Sequence, residues 1–212
     1  MKVVIELIIQ KILSFINRAS VRLTDQNSLK DFLGKLSPVK FSGGLLRLGP
    51  DGDGGYLVPN DLNDIGACFS PGVSFVSGFE KECAERGMKI FLADRSVDGP
   101  AENHDLFSFT KHFIGSYTTE GFLTIDGWVN DSVEDNDTDL MLQIDIEGFE
   151  YEVIDDIIKH NIKPKQILLE FHHFYPTIGN IKTELYINKI KKYGYNLFYV
   201  SNNFCEFSFI LI

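Results

Sequence analysis

Two carboxylates close a buried apolar run at Leu140-Met141-Leu142-Gln143-Ile144-Asp145-Ile146-Glu147. Asp145 and Glu147 lie two residues apart, a spacing that puts both side chains on one face of an extended chain. A second apolar run, Ile167-Leu168-Leu169-Glu170-Phe171-His172-His173, also ends in polar groups. Glu170 and His172 share a face if that strand continues. Should the two runs be adjacent parallel strands, Asp145, Glu170 and His172 converge at their carboxyl ends, where open α/β sheets hold their ligands. Such a set suits a divalent ion of the Mg2+ or Mn2+ kind, with Asp145, Glu170 and His172 as ligands. Equally, His172 or His173 can be a general base without metal, since an imidazole titrates near about 6.5. A structural reading leaves Glu170 a hydrogen bond to a ligand or loop and makes the histidines surface caps.

These residues need strands to hold them, and the chain supplies an α/β alternation from residue 65 onward. Ile65 to Phe69 reads as a strand, Ser70-Pro71-Gly72-Val73-Ser74 as a turn, and Phe75 to Arg86 as a helix that Gly87 stops. Lys89 to Ala93 is a second strand ending at Asp94, and residues 107–114 a third, shorter one. Thr124 to Val129 opens a helix. Leu140 to Ile146 is the fourth strand, followed by a helix over Glu150 to His160 with apolar positions at Val153, Ile154, Ile157 and Ile158. Ile167 to Phe171 is a fifth strand and Lys182 to Tyr193 another helix, with Gly194 at its end. Asn196 to Val200 and Glu206 to Leu211 form a hairpin about Ser201-Asn202-Asn203. The pattern predicts a mainly parallel, doubly wound, seven-stranded sheet closed by an antiparallel hairpin.

Ahead of this, residues 2–20 read as an amphipathic helix with a broad apolar face, expected to pack on its own domain or on a second subunit rather than on a membrane. Residues 25–40 read as a second helix capped by Ser28. Leu46 to Leu48 and Tyr56 to Pro59 are short extended pieces about a Gly/Asp turn. Asp51 and Asp53 there lack the remainder of a calcium loop, closing Glu included, so the turn reads as structural. The expected organisation is an N-terminal helical extension over 1–45 and a catalytic domain over 46–212.

The first strand–turn–helix can point backbone amides of the 70–74 turn at a ligand. Asp94, at the end of the next strand, stands where a nucleotide-binding fold places its ribose-binding acid. No G-x-x-x-x-G-K-[ST] phosphate loop occurs. A ribose acid without a phosphate cradle favours a nucleoside cofactor, S-adenosylmethionine first among them. The net charge of −10 and pI of about 4.9 argue against a nucleic-acid partner. Cys68, Cys83 and Cys205 form no CxxC or zinc spacing and read as reduced thiols. With no secretory signal evident, the expected compartment is the cytoplasm. His104, His112 and His160 lack acidic company and read as structural. Trp128 and most phenylalanines read as core, and Tyr117, Phe174 and Tyr175 as candidate walls of an acceptor pocket.

Gln143-Ile144-Asp145-Ile146-Glu147-Gly148-Phe149-Glu150 resembles the hallmark of FkbM-type S-adenosylmethionine-dependent methyltransferases. Thr124-Ile125-Asp126 resembles the Thr-Leu-Asp that commonly precedes it in that family. Arg47-Leu48-Gly49-Pro50, Asp53-Gly54-Gly55-Tyr56 and Phe79-Glu80 resemble segments of a subgroup. The similarity runs from about residue 45 to 175, and departs at Ser70-Pro71-Gly72, where class I methyltransferases carry a glycine-rich loop. It implies a class I methyltransferase fold and O-methylation of a hydroxyl, often on a sugar. Under that reading Ser70, Pro71, Gly72 and Ser74 of the 70–74 turn hold the methionine moiety of the cofactor and Asp94 its ribose, and Glu80 and Asp145 also contact the cofactor. Phe91 to Arg95 and Ile114 to Ser116, Gly115 included, flank the adenosine. Asp145, His172 and His173 carry catalysis, with Mg2+ or Mn2+ an optional cofactor. Glu147 would bond the cofactor's amino group, bind substrate or cap the following helix. The partner is a small-molecule or glycan acceptor, with a homo-oligomer through the N-terminal helix or fusion to glycosyltransferase domains as possible contexts. Two other classes stay open: a nucleoside-binding module without catalysis, and an NAD-dependent sugar-modifying enzyme.

Overall fold

A computed structural model describes residues 31, 34, 36, 38–133, 138–173, 179–202 and 204–211. The expected helix over 2–20, almost all of that over 25–40, and the pocket candidates Phe174 and Tyr175 lie outside the described residues.

Two short strands come first: β1 (Leu45–Leu48) and β2 (Tyr56–Pro59), paired antiparallel from Leu45↔Pro59 to Leu48↔Tyr56. Arg47 holds the intervening loop. Its guanidinium donates to the carbonyls of Pro50 (2.8 Å), Gly52 (2.9 Å) and Gly55 (3.2 Å). That spends the charge-bearing donors of one arginine on three loop carbonyls that would otherwise need water.

The main sheet contains β3 (Ile65–Pro71), β4 (Lys89–Ala93), β5 (Phe107–Thr110), β8 (Asp139–Ile144), β9 (Gln166–Glu170), β10 (Tyr195–Val200) and β11 (Glu206–Leu211). Their spatial order is β10-β11-β9-β8-β3-β4-β5. The pairs β3–β4, β4–β5, β3–β8 and β8–β9 are parallel, while β9–β11 and β10–β11 are antiparallel. The expected seven strands and closing antiparallel hairpin are therefore present. Chain order reverses between β3 and β8, the position at which such sheets open a crevice for ligands. A separate parallel pair joins β6 (Phe113–Ile114) to β7 (Phe122–Leu123).

Four helices connect the strands: α1 (Gly78–Glu85), α2 (Ile125–Ser132), α3 (Glu150–His160) and α4 (Gly179–Lys192). Alternate strand residues sort into two apolar clusters. Phe69, Leu142, Ile167 and Leu169 pack with α2, α3 and α4. Cys68, Met141 and Leu168 pack with α1 and the β1–β2 hairpin. The alternation follows from the strand period of two. In α3 the buried Tyr151, Val153, Ile154 and Ile157 follow the helical period, and Asn161, left-handed at φ 56°, ends it.

Several boundaries differ from expectation, and four of them bear on the site. β3 continues through Pro71 instead of turning after Phe69. The pairing of β3 with β8 has ended at Phe69↔Leu142, so no partner needs the amide proline lacks, and Gly72 N–H still donates to Ala93 O on the other side. α1 starts at Gly78, not Phe75. Ser77 Oγ accepts from Ala101 N at 3.1 Å and ties the 74–77 segment to a distant loop. The strand expected over 107–114 breaks after Thr110, whose carbonyl accepts from His112 N, and Phe113–Ile114 leave for β7. β8 stops at Ile144 because Ile146 N donates to a side chain instead of a neighbouring strand.

Candidate functional site

The carboxyl end of β8 is shaped by a residue that follows it. Glu150, fully buried at the start of α3, accepts with one oxygen, Oε1, from Ile146 N (3.2 Å) and Gly148 N (2.9 Å). The same oxygen is 2.8 Å from His172 Nδ1. The chain reaches this arrangement through Glu147 at φ 55° and Gly148 at φ 104°. A left-handed glutamate costs on the order of 1 kcal/mol, and the amides gathered by Glu150 hold it there. Asp145 and Glu147 are thus not two residues of one extended strand, as their spacing implied. They meet around His172 by way of a turn.

β9 ends at Glu170, and Phe171 N donates to Cys205 O at 2.7 Å. His172 is almost fully buried beyond it. With Nδ1 committed to Glu150, its Nε2 lies 3.6 Å from Asp145 Oδ1 and 3.5 Å from Glu147 Oε2. Burial acts to lower the His172 pKa. The hydrogen bond and charge of Glu150, then Asp145 and Glu147, outweigh it and raise it to about 9. Burial raises Asp145 to about 6, against the pull of His172 and with a push from Glu147, Glu150 and Asp53. Burial and the charge of Asp145 raise Glu170 to about 7. His173, also buried, is lowered by its burial.

Single ligand atoms of Asp145, Glu150 and His172 all lie within 4.8 Å of one another. Glu150 Oε2 is buried without a hydrogen-bond partner. Asp145 and His172 were expected in such a set; Glu170 was expected too but stands apart from this cluster, on a cavity wall. Glu150 is the member that sequence reasoning missed. Its signal was present, as an acid in the first turn of a helix directly after a glycine turn, where orphan amides attract carboxylates.

Two cavities flank this point. One, of about 410 Å3, is walled by Ile114, Phe113, Phe122, Ile146 and Phe149, with Asp94 and Ser96 at its polar side. The other, of about 360 Å3, is acidic: Asp53, Glu80, Asp145, Glu147 and Glu170 line it with His172, Tyr56 and Gln143. Gly72, Ser74, Asp145 and Glu147 border both. Gly72 has to be glycine. At φ +93° a Cβ there would sit on the Asp145 carbonyl, so the ends of β3 and β8 could not close up.

The expected cofactor contacts divide accordingly. Asp94 closes β4 beside the first cavity, and its Oδ1 accepts from Ser96 N and Oγ, both at 2.6 Å. Gly72 and Ser74 line the walls, but the Gly72 amide is spent on Ala93. Ser70 is buried between Glu80 (2.7 Å) and Gln143 (2.6 Å), and Pro71 is buried within β3. Glu80 faces the acidic cavity, away from the Asp94 side. Arg95 is exposed and lies over Gly121. Of the expected Ile114 to Ser116, Ile114 lines the first cavity together with Phe113, whereas Gly115 and Ser116 do not border it, and the exposed Tyr117 rests on Phe122 with ring centroids 5.7 Å apart. His173 borders neither cavity. His160, read as lacking acidic company, sits 3.0 Å from buried Asp156 and ties α3 to α2 through Asp126.

A largely apolar slot with Asp94 at the end of β4 and Asp145 and Glu147 on the wall it shares has the chemistry to take a nucleoside, and the acid-lined chamber beside it that to take a polyhydroxyl partner or a cation. The family model for the methyltransferase FkbM domain matches residues 81–197, more than half of the chain. No curated protein matches it. Among the described residues no helix is long and apolar enough to cross a membrane.

Proposed function

The chain belongs to the FkbM methyltransferase family, and on that premise we propose that it is an S-adenosylmethionine-dependent O-methyltransferase acting on a hydroxyl of a sugar or glycan. The fold is then the doubly wound class I methyltransferase sheet. The observation that carries the reading is the meeting of two unlike cavities at Asp145, Ser74 and Gly72. Bound in the apolar cavity, S-adenosylmethionine supplies an electrophilic methyl group. Asp94 accepts the ribose hydroxyls, and Ile114, Ile146 and Phe149 exclude water from the adenine.

An acceptor hydroxyl in the acidic chamber must lose its proton as its oxygen attacks. His172 is poorly suited to take it, because Glu150 keeps the imidazole protonated. His173 borders no cavity. Glu170, raised to about 7, is the better base, its carboxylate matched to neutral pH. Asp145 sits at the shared wall and orients the hydroxyl. The carboxylates accept hydrogen bonds from neighbouring hydroxyls of a sugar, the class of acceptor that an acid-rich chamber suits.

A second reading rests on the Asp145–Glu150–His172 cluster and the unpartnered Glu150 oxygen. There Asp145 and the His172 Nε2 would hold a divalent ion such as Mg2+ or Mn2+, with Glu150 fixing the imidazole through Nδ1, a common carboxylate–histidine–metal arrangement. The ion would lower the pKa of a bound hydroxyl.

Calorimetric titration with S-adenosylhomocysteine, then methyl transfer to a panel of methyl glycosides with and without EDTA, tests these readings. Binding with turnover supports the enzyme, and EDTA sensitivity selects the metal form. Binding of NAD without S-adenosylhomocysteine would overturn both.

A further inference from the structure

Behind the acidic chamber runs a chain of polar side chains that neither acids nor metal account for. Ser70 Oγ on β3 lies 2.7 Å from Glu80 Oε1 on α1 and 2.6 Å from Gln143 Oε1 on β8. Gln143 Nε2 in turn donates to the Tyr56 hydroxyl of β2 at 2.8 Å. Ser70 and Gln143 are buried, Tyr56 is 5% exposed, and Tyr56, Gln143 and Glu80 all border the chamber.

Counting protons decides the direction of this chain. A serine hydroxyl owns one proton and here has an acceptor on each side. With the Gln143 carbonyl facing it, Ser70 spends that proton on Gln143. The contact to Glu80 then holds only if Glu80 is the donor, which makes it a carboxylic acid. Gln143 Nε2–H occupies a lone pair of the Tyr56 oxygen, so the Tyr56 proton is left for the chamber.

Reversing the Gln143 amide gives the opposite direction. Ser70 would then donate to Glu80, most strongly if Glu80 were ionised, and Tyr56 would donate to Gln143. Two observations disfavour it. No cation among the described residues compensates an ionised Glu80. Lys81 is turned out to Glu102 at 2.7 Å, and Arg47 is committed to loop carbonyls. The reversed pattern would also aim the Tyr56 lone pairs at Asp145 and Glu170, the carboxyl groups that act on it across the chamber. Burial independently raises the Glu80 pKa.

We infer that Tyr56 is a further substrate-contacting residue, donating a hydrogen bond to the acceptor in the acidic chamber, and that neutral Glu80, acting through Ser70 and Gln143, is the positioning residue that sets the direction of that donor. The acceptor hydroxyl then accepts from Tyr56 while its own proton points to the carboxylates. Glu80 thereby has a role apart from direct cofactor contact. The inference rests on the proposed methyl-transfer site, but its protonation claim stands separately.

Infrared difference spectroscopy of the protein at neutral pH, wild type minus Glu80→Gln, should show the carbonyl band of one protonated carboxylic acid lost on substitution, over and above the Glu170 contribution common to both proteins. Absence of that band overturns the assignment whether or not the protein methylates anything. Given turnover of any methyl glycoside, Tyr56→Phe should raise the KM for that glycoside about tenfold, the loss of one hydrogen bond, and leave S-adenosylhomocysteine binding unchanged. An unchanged glycoside KM and kcat in Tyr56→Phe would refute the donor role. If no glycoside is methylated by the wild type, the proposed activity fails while the infrared result still decides the protonation of Glu80.

Discussion

The two cavities that meet at Asp145 are similar in volume, about 410 and 360 Å3, and opposite in chemistry. The first, the proposed nucleoside side, combines backbone close approach and apolar walls with Asp94 and shares Asp145 and Glu147 with the second. The second, the proposed acceptor side, is made of side chains whose protonation states depend on one another: Asp145, Glu170 and His172 are all shifted by mutual charge and burial. A cavity of the first kind binds by shape. One of the second kind is organised by where its protons sit, and it responds to solution conditions the first ignores.

Asp145 borders both cavities, so its replacement should have the largest effect. Asp145→Asn should lower methyl transfer on the order of a thousandfold. Its thermal midpoint should not fall, since burial already penalises the charged carboxyl. Unchanged turnover would dissolve the shared-wall idea. Next in size is Glu150→Ala, which strips two amides and an imidazolium of their partner and should cost about 3 kcal/mol in denaturant unfolding. A cost below about 1 kcal/mol would mean that the 145–149 turn supports itself.

Asp94→Ala probes the nucleoside side alone. S-adenosylhomocysteine affinity should drop about tenfold, with titration of the acidic cluster unmoved; a change in that titration would couple cavities held here to be distinct. The smallest expected effect is on pH. Asp145, Glu170 and His172 all have folded pKa values above their ordinary ones, so the folded state binds protons more tightly than the unfolded state. For the two acids, the stability they add at low pH is lost as pH rises from about 4 toward 6 and 7. The contribution of His172 is complete below 6.5 and lost as pH rises through about 9. Unfolding measured in EDTA from pH 4 to 9 should therefore show declining stability from these groups, and Glu150→Gln should flatten the upper part of the slope. A steep decline above pH 6.5 that survives Glu150→Gln would place its source elsewhere.

The nucleoside side was the more legible in the sequence. β4 and α3 appear with the expected bounds, Lys89–Ala93 and Glu150–His160, because an apolar run and a helical period each carry their own stop signal. Asp94 follows from β4. The convergence of Asp145 with His172 follows from β8 and β9 being parallel neighbours. Proton networks leave less trace. Glu150 read as the first residue of an amphipathic helix, where acids are ordinary, and only tertiary packing makes it fully buried. Gln143 was a second overlooked clue, since a polar residue inside a run of buried aliphatics must find a partner. Its partners, Ser70 and Tyr56, are 73 and 87 residues away. No local pattern joins such distances. Pro71 misled in the opposite direction, because its turn propensity was outweighed once the ladder on its donor side had ended.

The loop clamped by Arg47 also bears on modularity. Asp53, Gly54 and Tyr56 reach the acceptor chamber from a hairpin that precedes the matched segment 81–197. That hairpin is fastened to the sheet by Gln166 Nε2 on Pro59 O and Ser208 Oγ on Leu57 O, contacts made through its backbone carbonyls. Anchors of that kind are indifferent to the side chains they carry. Leu48, Tyr56 and Val58 are buried in the sheet's second apolar cluster, so only the exposed tip between the strands is free to change, and a different tip there would reshape the wall that Asp53 and Gly54 give the acidic chamber without disturbing the matched segment.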